Sequence, residues 1–261
     1  MKAVNIFLNA LKPGNAREMT HKMCVRLRER RTQLNGREIE QWCRVHQTDL
    51  GSWAKGIDRR LWSEARVFAD EQRRHSARLL AGLEVDLGGG GAYDLLYFLT
   101  RLLRPEIIVE TGVAAGFSSR AFLCALSRNG AGHLYSSDFP YFRLSAPERY
   151  VGILVDPELR TNWSLSLKGD RNALPEIART VRTIDLLHYD SDKSYEGRVF
   201  AMRTLEPRLS PRAPVLFDDI QDNWHFRDLA RDRPFLVFSF EQKWVGMVGG
   251  GADLYRLRHG S

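Results

Sequence analysis

The chain has 261 residues, and its 43% hydrophobic content is enough to bury a core, whereas three widely spaced cysteines support neither a disulfide framework nor a zinc ribbon. The cysteine pattern fits a reducing compartment best, so we expect a cytoplasmic protein. No run approaches the roughly 20 apolar residues of a membrane-spanning helix, so we expect no membrane partner. The net charge of +7 is concentrated in residues 1–88, which hold 17 Lys and Arg against 11 Asp and Glu, while the remainder holds 22 against 21. This excess leaves an acidic substrate, a phosphorylated sugar or nucleic acid open as partners, although a solvated helix face explains it as well.

The first third of the chain is predicted to consist of amphipathic helices. One helix is predicted over residues 15–35, a second follows at once, and a third runs from Asp58 to about Leu83. The apolar stripe of the third helix comprises Leu61, Ala65, Phe68, Gln72, His75 and Leu79. A glycine run at 88–91 then separates a helical extension, residues 1–88, from a main domain, residues 89–261. We expect the extension to form a lid or the interface of a homo-oligomer.

From residue 106 onward the pattern changes to short apolar runs separated by segments long enough for helices. An apolar helix at 95–103 precedes them, and the runs lie at 107–109, 134–135, 165–167, 184–189 and 215–217. This alternation predicts an α/β fold with a mostly parallel, helix-covered sheet. Two further runs, 235–240 and 244–248, are joined by a tight polar link and predict an antiparallel hairpin at the C-terminal end.

A glycine turn follows the first predicted strand. Strand 107–109 leads into Glu110-Thr-Gly112-Val-Ala-Ala-Gly116-Phe-Ser118-Ser, and a helix is predicted after it. Glycine is needed where the backbone turns sharply and approaches a ligand closely. A dinucleotide would need a third glycine for its pyrophosphate, and Glu110 would repel a phosphate, so the turn favours a cationic, phosphate-free ligand.

Two further acidic turns are predicted at the same sheet edge. Asp138 ends the next strand 22 residues after Gly116, and Asp170 follows the strand after that. Here the chain resembles the class I methyltransferases, whose Rossmann-like sheet binds S-adenosylmethionine. The resemblance implies that the glycine turn holds the amino-acid end of the cofactor, that Asp138 holds the ribose and that Asp170 lies beside the adenine. The implied cofactor-binding residues are Glu110, Gly112, Gly116, Ser118, Asp138 and Asp170.

Carboxylates also end the last two predicted parallel strands. Asp190 follows strand 184–189, and Asp218 and Asp219 follow strand 215–217, so the three should meet at the carboxyl edge of the sheet. Carboxylates packed together need a balancing cation, and hard oxygen ligands suit Mg²⁺ or a similar divalent ion.

These segments resemble the metal-dependent O-methyltransferases of the catechol type and of the type that methylates sugars of natural products. The resemblance implies metal ligands at Asp190, Asp218 and Asp219. It covers roughly residues 105–225, and Lys193 matches the lysine that serves as general base in the catechol type, where the sugar type has histidine. Pairing of Lys193 with Asp192 or Asp218 remains open as a purely structural role.

Together these features predict an enzyme that transfers a methyl group to a hydroxyl of a small molecule, such as a sugar or a natural-product intermediate. The basic excess leaves an anionic acceptor open. His225 is a second candidate for the base, although a lone histidine is more often structural. The alternatives are RNA methylation through the basic N-terminal helices and a non-catalytic relative of the fold. An Asn/Asp-Pro-Pro-aromatic segment, typical of base-amino methyltransferases, does not occur where this chain has Asp190, which disfavours nucleic acid as the substrate.

Overall fold

A computed structural model describes residues 36–250 apart from 84, 86, 142 and 143, together with Thr20. The predicted helix over 15–35 therefore lies outside the described residues, Thr20 excepted. None of the helices within the described part is both long and apolar enough to cross a membrane.

Within residues 36–83, two helices precede the main fold. Helix α1 spans Gly36–Val45 and α2 spans Leu50–Leu80, with a break at Asp58, whose φ of −153° and ψ of 99° are not helical. The Asp58 side chain accepts a hydrogen bond from the Leu61 amide at 2.9 Å, so it caps the helical stretch that follows it. The predicted start at Asp58 is thus correct for the second part of α2, and the prediction missed the stretch from Leu50 onward.

The remaining elements alternate as predicted. Helix α3 covers Tyr93–Leu103, β1 Ile107–Thr111, α4 Phe117–Asn129, β2 His133–Ser137, β3 Trp163–Ser166, α5 Asp170–Thr180, β4 Leu186–Tyr189, α6 Tyr195–Leu205, β5 Pro214–Phe217, α7 His225–Ala230, β6 Phe235–Phe240 and β7 Lys243–Gly249. Short 3₁₀ turns lie at Pro147–Tyr150, Pro157–Asn162, Glu206–Arg208 and Ile220–Asp222. Ile184, predicted to begin a strand, forms only an isolated bridge with Leu209.

The seven strands form one sheet in the order β3-β2-β1-β4-β5-β7-β6. Strands β1 to β5 are parallel, whereas β7 pairs antiparallel with both β5 and β6. The predicted α/β class, mostly parallel sheet and C-terminal antiparallel hairpin are therefore confirmed. The hairpin does not simply extend the sheet, because its second strand lies inside, next to β5.

Helices cover both faces of the sheet, because successive strand residues point to opposite sides. One face buries Ile108, Leu186 and Leu216 against α2, α3 and α4. The opposite face buries Val109, Leu187 and other strand residues against α1, α5, α6 and α7. This arrangement leaves the carboxyl edge of the parallel strands as the place where loops from many elements meet.

Candidate functional site

The glycine turn after β1 depends on backbone conformations that only glycine adopts easily. Gly112 has a φ of +80°, and a Cβ built on it would lie 2.5 Å from the carbonyl oxygen of Asp190. Gly116, with a φ of +96°, caps α4, and its Cβ would lie 2.9 Å from the Cα of Gly152. The turn therefore lies in close contact with the segment that follows β4.

Glu110, at the end of β1, is completely buried. Its Oε2 accepts hydrogen bonds from the hydroxyls of Ser119 at 2.6 Å and Ser136 at 2.7 Å, whereas its Oε1 has no close hydrogen-bond partner within the described part of the chain. The Ser118 hydroxyl is also near enough to the carboxyl to lower its pKa. Burial raises the pKa of the Glu110 carboxyl to about 7, and the serine hydroxyls only partly oppose this effect. A buried carboxylate with one free oxygen is suited to a cationic ligand. Ser118, on the same helix start, is also buried.

The other two predicted cofactor carboxylates tie the loops of this edge together. Asp138 follows β2 and accepts a hydrogen bond from the Ala114 amide of the glycine turn at 3.0 Å. Asp170, the first residue of α5, accepts hydrogen bonds from the hydroxyls of Ser137 and Ser191. Since Ser191 follows Asp190, Asp170 connects the start of α5 to the acidic turn after β4.

The three acidic residues predicted as metal ligands lie together. One carboxylate oxygen from each of Asp190, Asp218 and Asp219 lies within 4.8 Å of the others. The strand ends place them there, because the Asp190 amide donates to the Thr111 carbonyl at 2.9 Å and the Asp218 amide donates to the Tyr189 carbonyl at 3.0 Å. The predicted convergence of these three residues is found in the structure.

Asp218 is the most deeply placed of the three, with 1% of its surface exposed. Neither of its carboxylate oxygens has a hydrogen-bond partner among the described residues. Burial, reinforced by the neighbouring Asp190, raises the pKa of Asp218 well above its ordinary value. Such an orphaned, buried carboxylate is what a bound cation would satisfy.

Lys193 lies inside this cluster and forms ion pairs with Asp190 and, at 3.0 Å, with Asp219. Burial by itself would lower the pKa of Lys193, but the carboxylates of Asp190 and Asp219 outweigh it and raise the pKa well above its ordinary value. Lys193 thus pairs with two of the predicted ligands, and not with Asp192 or Asp218 as the structural alternative supposed.

Two positively charged residues of the site escaped the sequence analysis. Lys243, the first residue of β7, has its Nζ 3.6 Å from Asp218 and 3.7 Å from Asp219. Arg198, on α6, is fully buried and donates to the carbonyl oxygens of Asp218 at 3.1 Å and Asp219 at 2.8 Å. No local pattern in the sequence connects either Arg198 or Lys243 to the aspartates.

Comparisons with known proteins identify the part of the chain that carries this site. Residues 109–220 match the family model described as a methyltransferase domain. Residues 109–220 of this chain are therefore similar to a methyltransferase domain. The matched segment contains the glycine turn, Asp138, Asp170 and all three clustered aspartates.

Solved structures share the fold at low sequence identity. An O-methyltransferase from Bacillus cereus in complex with SAH superposes with a TM-score of 0.53 and 12% identity, covering 68% of this chain and 90% of that one. TomG from Streptomyces achromogenes is an O-methyltransferase involved in tomaymycin synthesis and was solved with SAM. It superposes with a TM-score of 0.50 and 16% identity, and the match covers 72% of this chain and 89% of TomG. These matches confirm the predicted methyltransferase sheet.

A relative by sequence is the uncharacterized protein y4gI of Sinorhizobium fredii, 29% identical over 173 residues. The match covers 60% of this chain and 18% of that protein. The chain therefore corresponds to less than one fifth of the length of this relative.

His225, the second residue predicted as a base, lies after the segment that matches the family model, at the start of α7, and is 4% exposed. Its ring packs edge-on against Tyr195 at 5.3 Å between centroids and is tilted against Phe217 at 5.4 Å. Burial lowers the pKa of His225 to about 4, so the ring is neutral at physiological pH. A catalytic role for His225 stays a prediction, as do the individual roles of the other site residues.

Proposed function

We propose that this protein is an S-adenosylmethionine-dependent O-methyltransferase that methylates a hydroxyl group of a small molecule with the help of a divalent metal ion. The observation that carries the proposal is the contact between the two halves of the site. The glycine turn touches the Asp190 carbonyl at Gly112, so a cofactor on the turn and an acceptor on the carboxylates would be neighbours. Much of the rate gain would come from holding the two reactants in this arrangement.

In the proposed enzyme the residues around β1 and β2 bind the cofactor. Glu110 has a buried carboxylate oxygen free to attract the cationic methionine end of S-adenosylmethionine, and Ser118 lies on the same helix start. Asp138 and Asp170, at the ends of β2 and β3, would hold the ribose and border the adenine. The SAH and SAM complexes of the two similar structures support this assignment for the fold.

The donor set of Asp190, Asp218 and Asp219 fits a hard divalent cation such as Mg²⁺. One oxygen from each carboxylate lies within 4.8 Å of the others, and the two oxygens of Asp218 find no hydrogen-bond partner among the residues that the structure describes. A divalent ion at this place would supply charge stabilisation to the acceptor oxygen. The role of the three aspartates is to hold that charge at a fixed point beside the cofactor.

During the reaction the acceptor oxygen takes the methyl group from the sulfonium sulfur, and its proton passes to a base. Lys193 lies next to the carboxylates and is 31% exposed, so its Nζ can contact an acceptor bound there. Without a metal the carboxylates raise the pKa of Lys193, so it would be protonated. A divalent ion bound by the same carboxylates would oppose this effect and lower that pKa, as a base requires, so we retain Lys193 as the proposed base and His225 as the alternative. The basic N-terminal extension is proposed as a lid over the site or as a homo-oligomer interface, and its positive charge would favour an anionic acceptor. The proposed acceptor is a sugar or a natural-product intermediate, and the involvement of the similar TomG in tomaymycin synthesis supports the latter class.

The test combines cofactor binding with methyl transfer to a panel of catechols and sugars. We expect the protein to bind S-adenosylmethionine in calorimetry and to transfer labelled methyl groups with Mg²⁺ but not with excess chelator. Asp190→Asn and Asp218→Asn should lose transfer while still binding the cofactor, whereas Asp232→Asn, an exposed aspartate, should retain both.

Each part of the proposal can fail separately in this experiment. A folded protein that does not bind S-adenosylmethionine would favour a non-catalytic relative of the fold. Undiminished turnover in chelator would refute the metal, and methylation of RNA in preference to every small hydroxyl compound would refute the substrate class.

A further inference from the structure

The β6–β7 hairpin brings a second lysine to the acidic cluster. The chain reverses at Glu241, a non-glycine residue with a φ of +54°, and Lys243 then begins β7. Because β7 runs antiparallel to β5, with Gly246 opposite Phe217, the start of β7 lies beyond the carboxyl end of β5. Lys243 therefore reaches Asp218 and Asp219 from a different element than Lys193 does.

The charges of the cluster nearly cancel within the protein. Three carboxylates lie against two ammonium groups, which leaves one uncompensated negative charge when all five groups are ionised. A divalent cation gains less from such a cluster than from one with a single lysine, because each additional positive charge repels it. Lys193 belongs to the same turn as Asp190, whereas Lys243 is attached to a separate hairpin.

We propose that Lys243 competes with the divalent ion for Asp218 and Asp219 and thereby sets the metal affinity of the site. The inference rests on the proposed metal site. The Lys243 ammonium lies at the end of a flexible side chain that is 33% exposed, so it can turn into solvent when a cation takes its place. Asp218 is buried, and neither of its oxygens has a hydrogen-bond partner in the described part of the chain, so either cation would stabilise its charge.

The test measures Mn²⁺ binding to the full-length protein by calorimetry and by the electron paramagnetic resonance signal of free Mn²⁺, with no substrate present. Lys243→Met should bind Mn²⁺ more tightly than the natural protein, by on the order of tenfold. Lys243→Arg, which keeps the charge, should stay within about twofold of the natural protein. Lys55→Met removes the same charge from an exposed position of α2 and should also stay within about twofold.

The outcomes separate this inference from the proposed function. Tighter binding by Lys243→Met alone supports the competition, as does Mn²⁺ binding that appears only in this variant. Equal affinity in Lys243→Met and the natural protein overturns the competition and leaves the metal site standing. Failure of all four proteins to bind Mn²⁺, with unchanged circular dichroism, overturns both the competition and the metal site.

Discussion

Glu110 shows how a single buried side chain prepares the cofactor edge. Its carboxyl group is enclosed, accepts two serine hydroxyls on one oxygen and leaves the other oxygen free. Ionisation of such a group is costly until a positive charge arrives, which explains the raised pKa of about 7 in the ligand-free protein. A cationic ligand is therefore also a ligand that drives proton loss from Glu110.

Cofactor affinity should consequently depend on pH through Glu110. Below about pH 7 the carboxyl must release its proton before it can attract a cation, so affinity should rise with pH, by at most about tenfold per unit, and level off above pH 7. Calorimetric titration with S-adenosylmethionine from about pH 5.5 to pH 8.5 measures this. Glu110→Gln should bind S-adenosylmethionine more weakly at pH 8, and its affinity should not rise with pH. Glu106→Gln, at an exposed position, should keep the affinity and the pH dependence of the natural protein. A slope that survives in Glu110→Gln would assign the effect to another group.

Gly112 offers a test of backbone geometry at the same turn. Gly112→Ala would combine a φ of +80° with a Cβ 2.5 Å from the Asp190 carbonyl, so either the glycine turn or the acidic turn must move. We expect a loss of about 2–3 kcal/mol in unfolding free energy and loss of cofactor binding. Urea denaturation and calorimetry measure these effects.

Gly130 provides the matched control for Gly112. It has a similar φ of +73°, but a Cβ there would meet nothing within 4 Å. Gly130→Ala should therefore show only the strain of the backbone, about 1 kcal/mol, with cofactor binding intact. If Gly112→Ala and Gly130→Ala changed the unfolding free energy and cofactor binding equally, the close approach of Gly112 to Asp190 would have no effect on either property.

At the scale of elements, helix α6 holds the acidic turn that follows β5. This turn contains Asp219 in the left-handed region, with a φ of +51°, which a side chain other than glycine adopts only when its surroundings enforce it. Arg198 supplies that support through two hydrogen bonds to the carbonyls of Asp218 and Asp219. The helix after one strand thus fixes the loop after the next strand.

Removal of the Arg198 guanidinium should release this turn. Arg198→Met would leave two buried carbonyls without their donor and is expected to lower the unfolding free energy by about 3 kcal/mol. Urea denaturation checks this, and metal binding should weaken in the same variant. Arg227→Met is the control, because Arg227 is 41% exposed and pairs with Asp228 at the surface. Arg227→Met should lower the unfolding free energy by less than about 1 kcal/mol. A similar decrease in both variants would refute the role of Arg198 in holding the turn after β5.

At the scale of the whole molecule, helix α2 shares a core with the sheet. Trp53 is 6% exposed and packs against Phe98 of α3 and Phe238 of β6, with ring centroids 6.0 and 5.2 Å away. The division of the chain at residue 88 stays a prediction, and these contacts show that residues on both sides of it are packed together. We therefore expect the full chain to unfold in one transition.

Trp53→Ala tests this shared core. The cavity should lower the unfolding free energy by about 3–5 kcal/mol and shift the whole transition, not one part of it. Circular dichroism follows the loss of helices, and the melting temperature with and without S-adenosylmethionine follows the cofactor site. Trp53→Phe should lose less unfolding free energy than Trp53→Ala. Val67→Ala, at a position of α2 that is 58% exposed, should change stability little. Separate transitions for α2 and the cofactor site would show two independent units.

The sequence by itself determined the elements and the chemistry of the main motifs. Apolar periodicity predicted the parallel strands and the hairpin, because burial on one or two faces imposes a repeat that can be read residue by residue. The positions of Asp190, Asp218 and Asp219 at strand ends were enough to predict their convergence, since parallel neighbouring strands end at one edge.

Only the tertiary structure decided what surrounds those carboxylates. The placement of β7 between β5 and β6 brings Lys243 to the cluster, and no local pattern reports which strand a hairpin pairs with. The break of α2 at Asp58 and the burial of Arg198 likewise depend on what packs against them. Local sequence encodes the periodicity and caps of an element, whereas long-range packing selects its neighbours, and it is the neighbours that set the charge and the pKa of a site.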